Sequence, residues 1–207
     1  MIALPTLPIT GALPELLDAL AHGRQVVLEA PPGAGKSTVV PLALLDAGWC
    51  AGGRIVMLEP RRLATRAVAE RMATLLGECA GQRVGYRTRL ETRVGSTTQI
   101  EVVTEGILTR MLQHDPALEG VACVVFDEFH ERNLQGDLGL ALALECQRHL
   151  RADLRLLLMS ATLDADALGH LLDQARFVRS AGRMFDVETV YAPAPAGTTA
   201  MPLPRLV

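Results

Sequence analysis

A mostly parallel sheet with helices on both faces is the fold class this sequence predicts, and three observations predict it. Short β-branched or leucine-rich runs alternate with longer amphipathic segments. The strand-like runs are almost continuously apolar, as strands buried on both sides must be. Of the 207 residues 49% are hydrophobic but only 3% aromatic, so the layers must pack through Leu, Val, Ala and Ile.

The elements follow in order. Strands are expected at 25–30, 54–59, 99–104, 121–126 and 155–160, and helices at 36–46, 63–76, 106–113 and 134–149. A further helix near 165–172 and strands near 176–179 and 185–191 complete the expected globule. From Ala192 the character changes, because Pro193, Pro195, Pro202 and Pro204 interrupt a small-residue stretch with little periodicity. That composition reads as a linker or a frayed end. The expected division is therefore a folded unit over 1–191 and a proline-rich segment over 192–207.

Composition narrows the function classes. The formal charge of −3 creates no global basic field, so any nucleic-acid contact must come from local patches. Cys50, Cys79, Cys123 and Cys146 lack paired spacing and read as reduced thiols of a cytoplasmic protein. The five histidines are also dispersed, without metal-ligand spacing. No apolar run approaches the ~20 residues of a membrane helix, and the first twenty residues lack a basic start. Both readings favour a soluble protein without membrane contact.

One residue count directs attention. Lys36 is the single lysine, and the other nineteen basic residues are arginine. It lies in Ala30-Pro31-Pro32-Gly33-Ala34-Gly35-Lys36-Ser37-Thr38, between an expected strand and an expected helix. That context fits a phosphate-binding loop of the form Gly-x-x-x-x-Gly-Lys-[Ser/Thr]. Backbone N–H groups of Gly33, Ala34 and Gly35 can turn around phosphate oxygens at a helix N-terminus. Lys36 then reaches the β- and γ-phosphates, while Ser37 offers its hydroxyl to Mg²⁺. Ala30 replaces the first glycine, so an ordinary extended conformation is expected there.

A second group carries acid chemistry. Asp127 and Glu128 end the apolar strand 121–126, at the sheet edge where open α/β folds bind ligands. Asp127 suits Mg²⁺, and Glu128 suits orientation and deprotonation of an attacking water. Glu59-Pro60-Arg61-Arg62, Thr104-Glu105-Gly106 and Ser160-Ala161-Thr162 each follow another strand. Between Arg54 and Arg93, nine arginines face four acids, a local excess of five. Such an excess suits backbone neutralisation of nucleic acid. Tyr86 is the one aromatic there, so phosphate and sugar contacts should dominate over base stacking.

The ordered motifs resemble the first RecA-like domain of DEAH-type (DExH) superfamily 2 RNA helicases, a P-loop NTPase fold, and within them the bacterial HrpB-type subgroup. Asp127-Glu128-Phe129-His130-Glu131-Arg132-Asn133-Leu134-Gln135, Thr104-Glu105-Gly106-Ile107-Leu108-Thr109-Arg110 and Met159-Ser160-Ala161-Thr162-Leu163 carry the resemblance. It implies that Gly33, Gly35, Lys36, Ser37 and Thr38 hold the phosphates and Mg²⁺ of ATP or ADP. It implies that Arg71 stacks on adenine, and that Ser160, Thr162 and His130 couple nucleotide state to domain movement. Pro60, Arg61, Arg62, Tyr86, Arg87 and Thr104 would touch single-stranded RNA or DNA. It also implies a second RecA-like domain carrying arginine fingers. Nothing in 192–207 supplies one, so the chain is expected to be part of a longer protein or the product of a truncated gene. Two other classes stay open: a P-loop ATPase of transport or partitioning, and a non-catalytic nucleotide-binding module. The arginine cluster and Ser-Ala-Thr favour the helicase over the first, and an intact Glu128 favours it over the second.

Overall fold

The structure is a computed structural model that describes residues 4–162, 171–172 and 175–181. Its centre is an eight-stranded sheet of β1 (Gln25–Glu29), β2 (Arg54–Leu58), β3 (Val84–Arg87), β4 (Thr92–Arg93), β5 (Ile100–Val103), β6 (Val121–Phe126), β7 (Arg155–Ser160) and β8 (Arg176–Arg179). Their spatial order is β4-β3-β5-β2-β6-β7-β1-β8. Every pairing is parallel except that of β3 with β4. Among the described residues five α-helices accompany them: α1 (Leu13–His22), α2 (Lys36–Leu45), α3 (Arg62–Leu75), α4 (Glu105–His114) and α5 (Leu134–His149).

Strand periodicity sorts the core into two layers. Val26, Leu28, Ile55, Met57, Cys123, Val125, Leu157 and Met159 pack with residues of α1, α2 and α3. Their alternates Val27, Val56, Leu58, Val124, Phe126, Leu156 and Leu158 pack with α4 and α5. Successive side chains of a strand leave opposite faces, so apolar residues at every position require cover on both. The two helical layers supply it.

The strands expected at 25–30, 54–59, 99–104, 121–126, 155–160 and 176–179 are present to within a residue. The four helices expected between 36 and 149 are present too. The helix expected near 165–172 falls mostly outside the described residues, and the strand near 185–191 and the proline-rich segment 192–207 lie wholly outside them. Three elements were not expected. In α1, Leu13, Leu16 and Leu20 form a buried stripe. Pro14 sits in its first turn, where a missing N–H leaves no helical bond unmade. The β3–β4 hairpin is short, polar and interrupted by Gly85, so its sequence lacks an apolar run. Gly85 is nonetheless required, because a Cβ there would lie 2.4 Å from the Arg93 carbonyl oxygen.

Candidate functional site

The turn after β1 begins as an extension of the sheet. Ala30 N–H donates to the Ser160 carbonyl at 3.0 Å, and the residue has no positive φ, as its replacement of the first glycine required. Gly33 and Gly35 then take φ of 77° and 95°, conformations that strain any side chain. Gly35 has a second constraint: a Cβ would meet Leu7 Cδ1 at 2.6 Å. The left-handed Gly35 caps α2, so the helix starts at Lys36 and its first N–H groups face the loop.

Lys36 is 97% buried, and its Nζ lies 2.9 Å from Glu128 Oε1. Glu128 comes from the other side of the site, at φ 49° and ψ 38°, directly after β6. Its second oxygen lies 3.3 Å from His130 Nδ1. The same His130 nitrogen lies 3.4 Å from the Ala161 N–H. Ser160 is buried, and its hydroxyl donates to the Thr162 carbonyl, which closes the turn after β7. Lys36, Glu128, His130 and the Ser160-Ala161-Thr162 turn therefore form one chain of contacts across β1, β6 and β7.

Asp127 lies behind this chain. One carboxylate oxygen accepts the Glu128 N–H at 2.9 Å, while the other is buried without a partner. Burial pushes its pKa up to about 6, against the opposing effect of a hydrogen bond from the Ser37 hydroxyl. An orphaned carboxylate oxygen beside a hydroxyl is the donor set a hard divalent cation takes. The residues present therefore fit Mg²⁺, for which Ser37 and Asp127 would be the protein ligands. Glu59, also buried, has its pKa raised to about 8 by burial and then by the charges of Asp127, Glu128 and Glu131.

The arginine-rich segments meet farther along the same sheet edge. Pro60, Arg62, Arg89, Thr104, Glu105 and Arg110 help line an open groove of about 500 Å³. Arg89 and Arg110 were missed as site residues; the first lies in the arginine cluster of 54–93, which was the available signal. Six arginines of that cluster are occupied internally. Arg54 and Arg87 pair with Glu101, Arg61 with Glu131, Arg66 with Glu70 and Glu91, Arg83 with Glu78, and Arg93 with Glu91. Among the described residues Arg62, Arg71 and Arg89 carry no ion pair. The local excess of positive charge is thus concentrated on fewer side chains than the sequence count suggested.

Two expectations need correction. Tyr86 is fully buried, because β3 turns its ring into the core, so it offers no face to a base. Arg87 is only partly available: its guanidinium lies 2.8 Å from the fully buried Glu101 carboxylate, a charge that cannot be left unpaired. Thr38 lies in the first turn of α2, and Arg71 is exposed on α3, the helix that packs beside α2.

Comparison with known proteins agrees with this geometry. Residues 12–169 match the family described as DEAD/DEAH box helicase. The chain is 58% identical over 191 residues to the ATP-dependent RNA helicase HrpB of Escherichia coli, covering 92% of this chain and 24% of that protein. It is 33% identical over 188 residues to the HrpA homolog of Haemophilus influenzae, covering 91% of this chain and 14% of that one. A crystal structure of the Escherichia coli DEAH/RHA helicase HrpB superposes with a TM-score of 0.86 at 56% identity, over 94% of this chain and 25% of that one. The chain thus spans about a quarter of the HrpB relative's length, and the part it spans is the mostly parallel RecA-like helicase domain. With the phosphate loop, the Asp-Glu-Phe-His acids and the Ser-Ala-Thr turn in their places on that sheet, the chain belongs to the DEAD/DEAH box helicase family.

Proposed function

We propose that this chain is the nucleotide-binding half of an ATP-dependent RNA helicase motor. Residues 1–191 form its first RecA-like domain, and 192–207 are a proline-rich linker or the start of a second. The observation that carries the reading is shared location. The phosphate loop, the acids and the arginine groove all follow carboxyl ends of neighbouring parallel strands.

In this reading ATP or ADP lies over the loop of Gly33, Ala34, Gly35, Lys36, Ser37 and Thr38, with Arg71 against the base. Mg²⁺, held by Ser37 and Asp127, supplies charge neutralisation at the phosphates. Lys36 exchanges Glu128 for phosphate oxygens, which frees the Glu128 carboxylate to hold a water. That water attacks the γ-phosphorus, the bond to the bridging oxygen breaks, and Glu128 takes the water's proton. His130, touching both Glu128 and Ala161, relays the change to Ser160 and Thr162 at the side where a second domain would act.

Single-stranded RNA, or DNA, occupies the groove through Pro60, Arg61, Arg62 and Thr104, with Arg89 and Arg110 added. These groups address phosphate and sugar, so weak sequence preference is expected. The test is RNA affinity across a salt series for Arg62→Ala and Arg89→Ala. Each should lower affinity and reduce the log–log salt slope by about 0.7, the value for one phosphate contact on a single strand. Unchanged affinity and slope in both variants would remove the groove from the binding path.

A further inference from the structure

Arg61 and Arg62 are adjacent, yet the fold treats them differently. The Arg62 guanidinium has no ion-pair partner among the described residues, whereas that of Arg61 pairs through Nη2 with Glu131 Oε1. The pair joins two segments seventy residues apart in the chain. Its Glu131 half ends a short 3-10 turn, Phe129–Glu131, that starts immediately after Glu128.

The two ends differ in freedom. Arg61 has a fixed backbone: its N–H donates to Glu59 Oε1 at 3.4 Å, and its carbonyl accepts from the Thr65 N–H at 2.8 Å and the Thr65 hydroxyl at 3.0 Å. Its side chain, however, is 71% exposed. The Glu131 side chain is only 28% exposed, and its N–H is tied to the Glu128 carbonyl at 2.9 Å. The next residue, Arg132, is engaged by Asp137 at 3.0 and 3.1 Å and lies over the Phe129 ring at 5.3 Å. An exposed guanidinium is thus docked on a less exposed carboxylate, beside a groove whose other arginines carry no ion pair among the described residues. A carboxylate offers guanidinium the same oxygen acceptors as a phosphodiester.

We propose that Glu131 is an internal competitor for nucleic-acid phosphate: it holds the Arg61 guanidinium while the groove is empty and yields it when a phosphate arrives. This rests on the reading that Arg61 faces nucleic acid. Glu131 is then a positioning residue that sets how much RNA is needed before Arg61 engages. Because the competitor sits three residues beyond Glu128, engagement of the strand at Arg61 also frees a carboxylate at the end of the hydrolytic loop. An exposed pair of this kind holds its partner only weakly, so the competition is soft and reversible.

The experiment measures binding of a fluorescein-labelled single-stranded oligouridylate by anisotropy, from low to moderate salt. It uses full-length protein carrying this chain as wild type, Glu131→Gln, Arg61→Gln and the double variant. Glu131→Gln should tighten binding about two- to fivefold, the range an exposed ion pair commands. The RNA concentration giving half-maximal stimulation of ATP hydrolysis should fall by a similar factor. Arg61→Gln should weaken binding and lower the salt slope by about 0.7. In its background Glu131→Gln should have no effect. If Arg61→Gln weakens binding but Glu131→Gln leaves it unchanged or weaker, Glu131 does not compete and the inference is overturned. If Arg61→Gln changes neither affinity nor slope, Arg61 does not meet the strand, and the underlying placement fails along with the inference.

Discussion

Replacing Lys36 with alanine tests the phosphate site most directly. The lysine is 97% buried, but its ammonium faces Glu128 at 2.9 Å and not the apolar layers. On the proposed reading, that ammonium exchanges one anionic partner for another when nucleotide binds, so the affinity lost is the net value of the exchange. A hydrogen bond to a charged group contributes about 1.5–3 kcal/mol, which corresponds to roughly 10- to 150-fold in dissociation constant. Lys36→Ala also leaves Glu128 uncompensated near the phosphates. Adding Glu128→Gln to Lys36→Ala should therefore recover part of the lost ADP affinity. The fold should survive, because Glu128 is partly exposed and keeps His130 beside it. Any fall in melting temperature should be limited, because the charge left behind, Glu128, is partly exposed rather than stranded in the core. Calorimetry with ADP and Mg²⁺, alongside far-UV circular dichroism, reads both quantities. ADP affinity within twofold of wild type, with a native spectrum, would refute a phosphate role for Lys36.

Three further outcomes are expected. Glu128→Gln, in a chain extended through a second domain, should bind nucleotide normally but turn over about 10²–10⁴-fold more slowly, the usual share of a general base; turnover within threefold of wild type would assign the water to another group. Residues 1–207 alone should bind ADP yet hydrolyse ATP roughly 10³–10⁵-fold more slowly than the extended chain, the contribution of an arginine finger, and equal RNA-stimulated rates would show that the finger lies within this chain. Glu59 titrates near pH 8 in the fold because of burial and its acidic neighbours. The folded state therefore keeps a proton that the unfolded chain has already lost, and stability falls as pH rises from the ordinary carboxylate range toward about 8. Glu59→Gln should remove that dependence, melting about 9–17 °C above wild type at pH 8 and only a few degrees from it at pH 5; parallel melting curves across that window would contradict the shift.

Much of the architecture was legible because both-face burial writes itself into β1, β2, β5, β6 and β7 as unbroken apolar runs. The glycine turn before α2 was legible for a different reason, since its left-handed backbone at Gly33 and Gly35 demands glycines at fixed spacing. What stayed hidden depends on contacts distant in sequence. Tyr86 looked like a base-stacking aromatic because it stands among arginines, but the β3 register beside Val102 carries it into the core. Glu101 sits inside the apolar run of β5, and nothing near it in sequence shows that Arg54 and Arg87 converge on it. The groove lining of Arg89 and Arg110 likewise needs the β3–β4 hairpin and α4 brought together, a relation no local pattern contains.

The left-handed backbone of Glu128 has a consequence for how this protein can change. A non-glycine residue at φ 49° carries about 1–3 kcal/mol of strain, and glycine or asparagine would relieve much of it. Selection for thermal tolerance alone would therefore favour replacing the residue proposed to activate the water. If Glu128 is that base, the carboxylate persists only where turnover is selected together with stability. On the same proposal, a stabilised lineage freed from that demand would be expected to lose the acid at this position while keeping the fold.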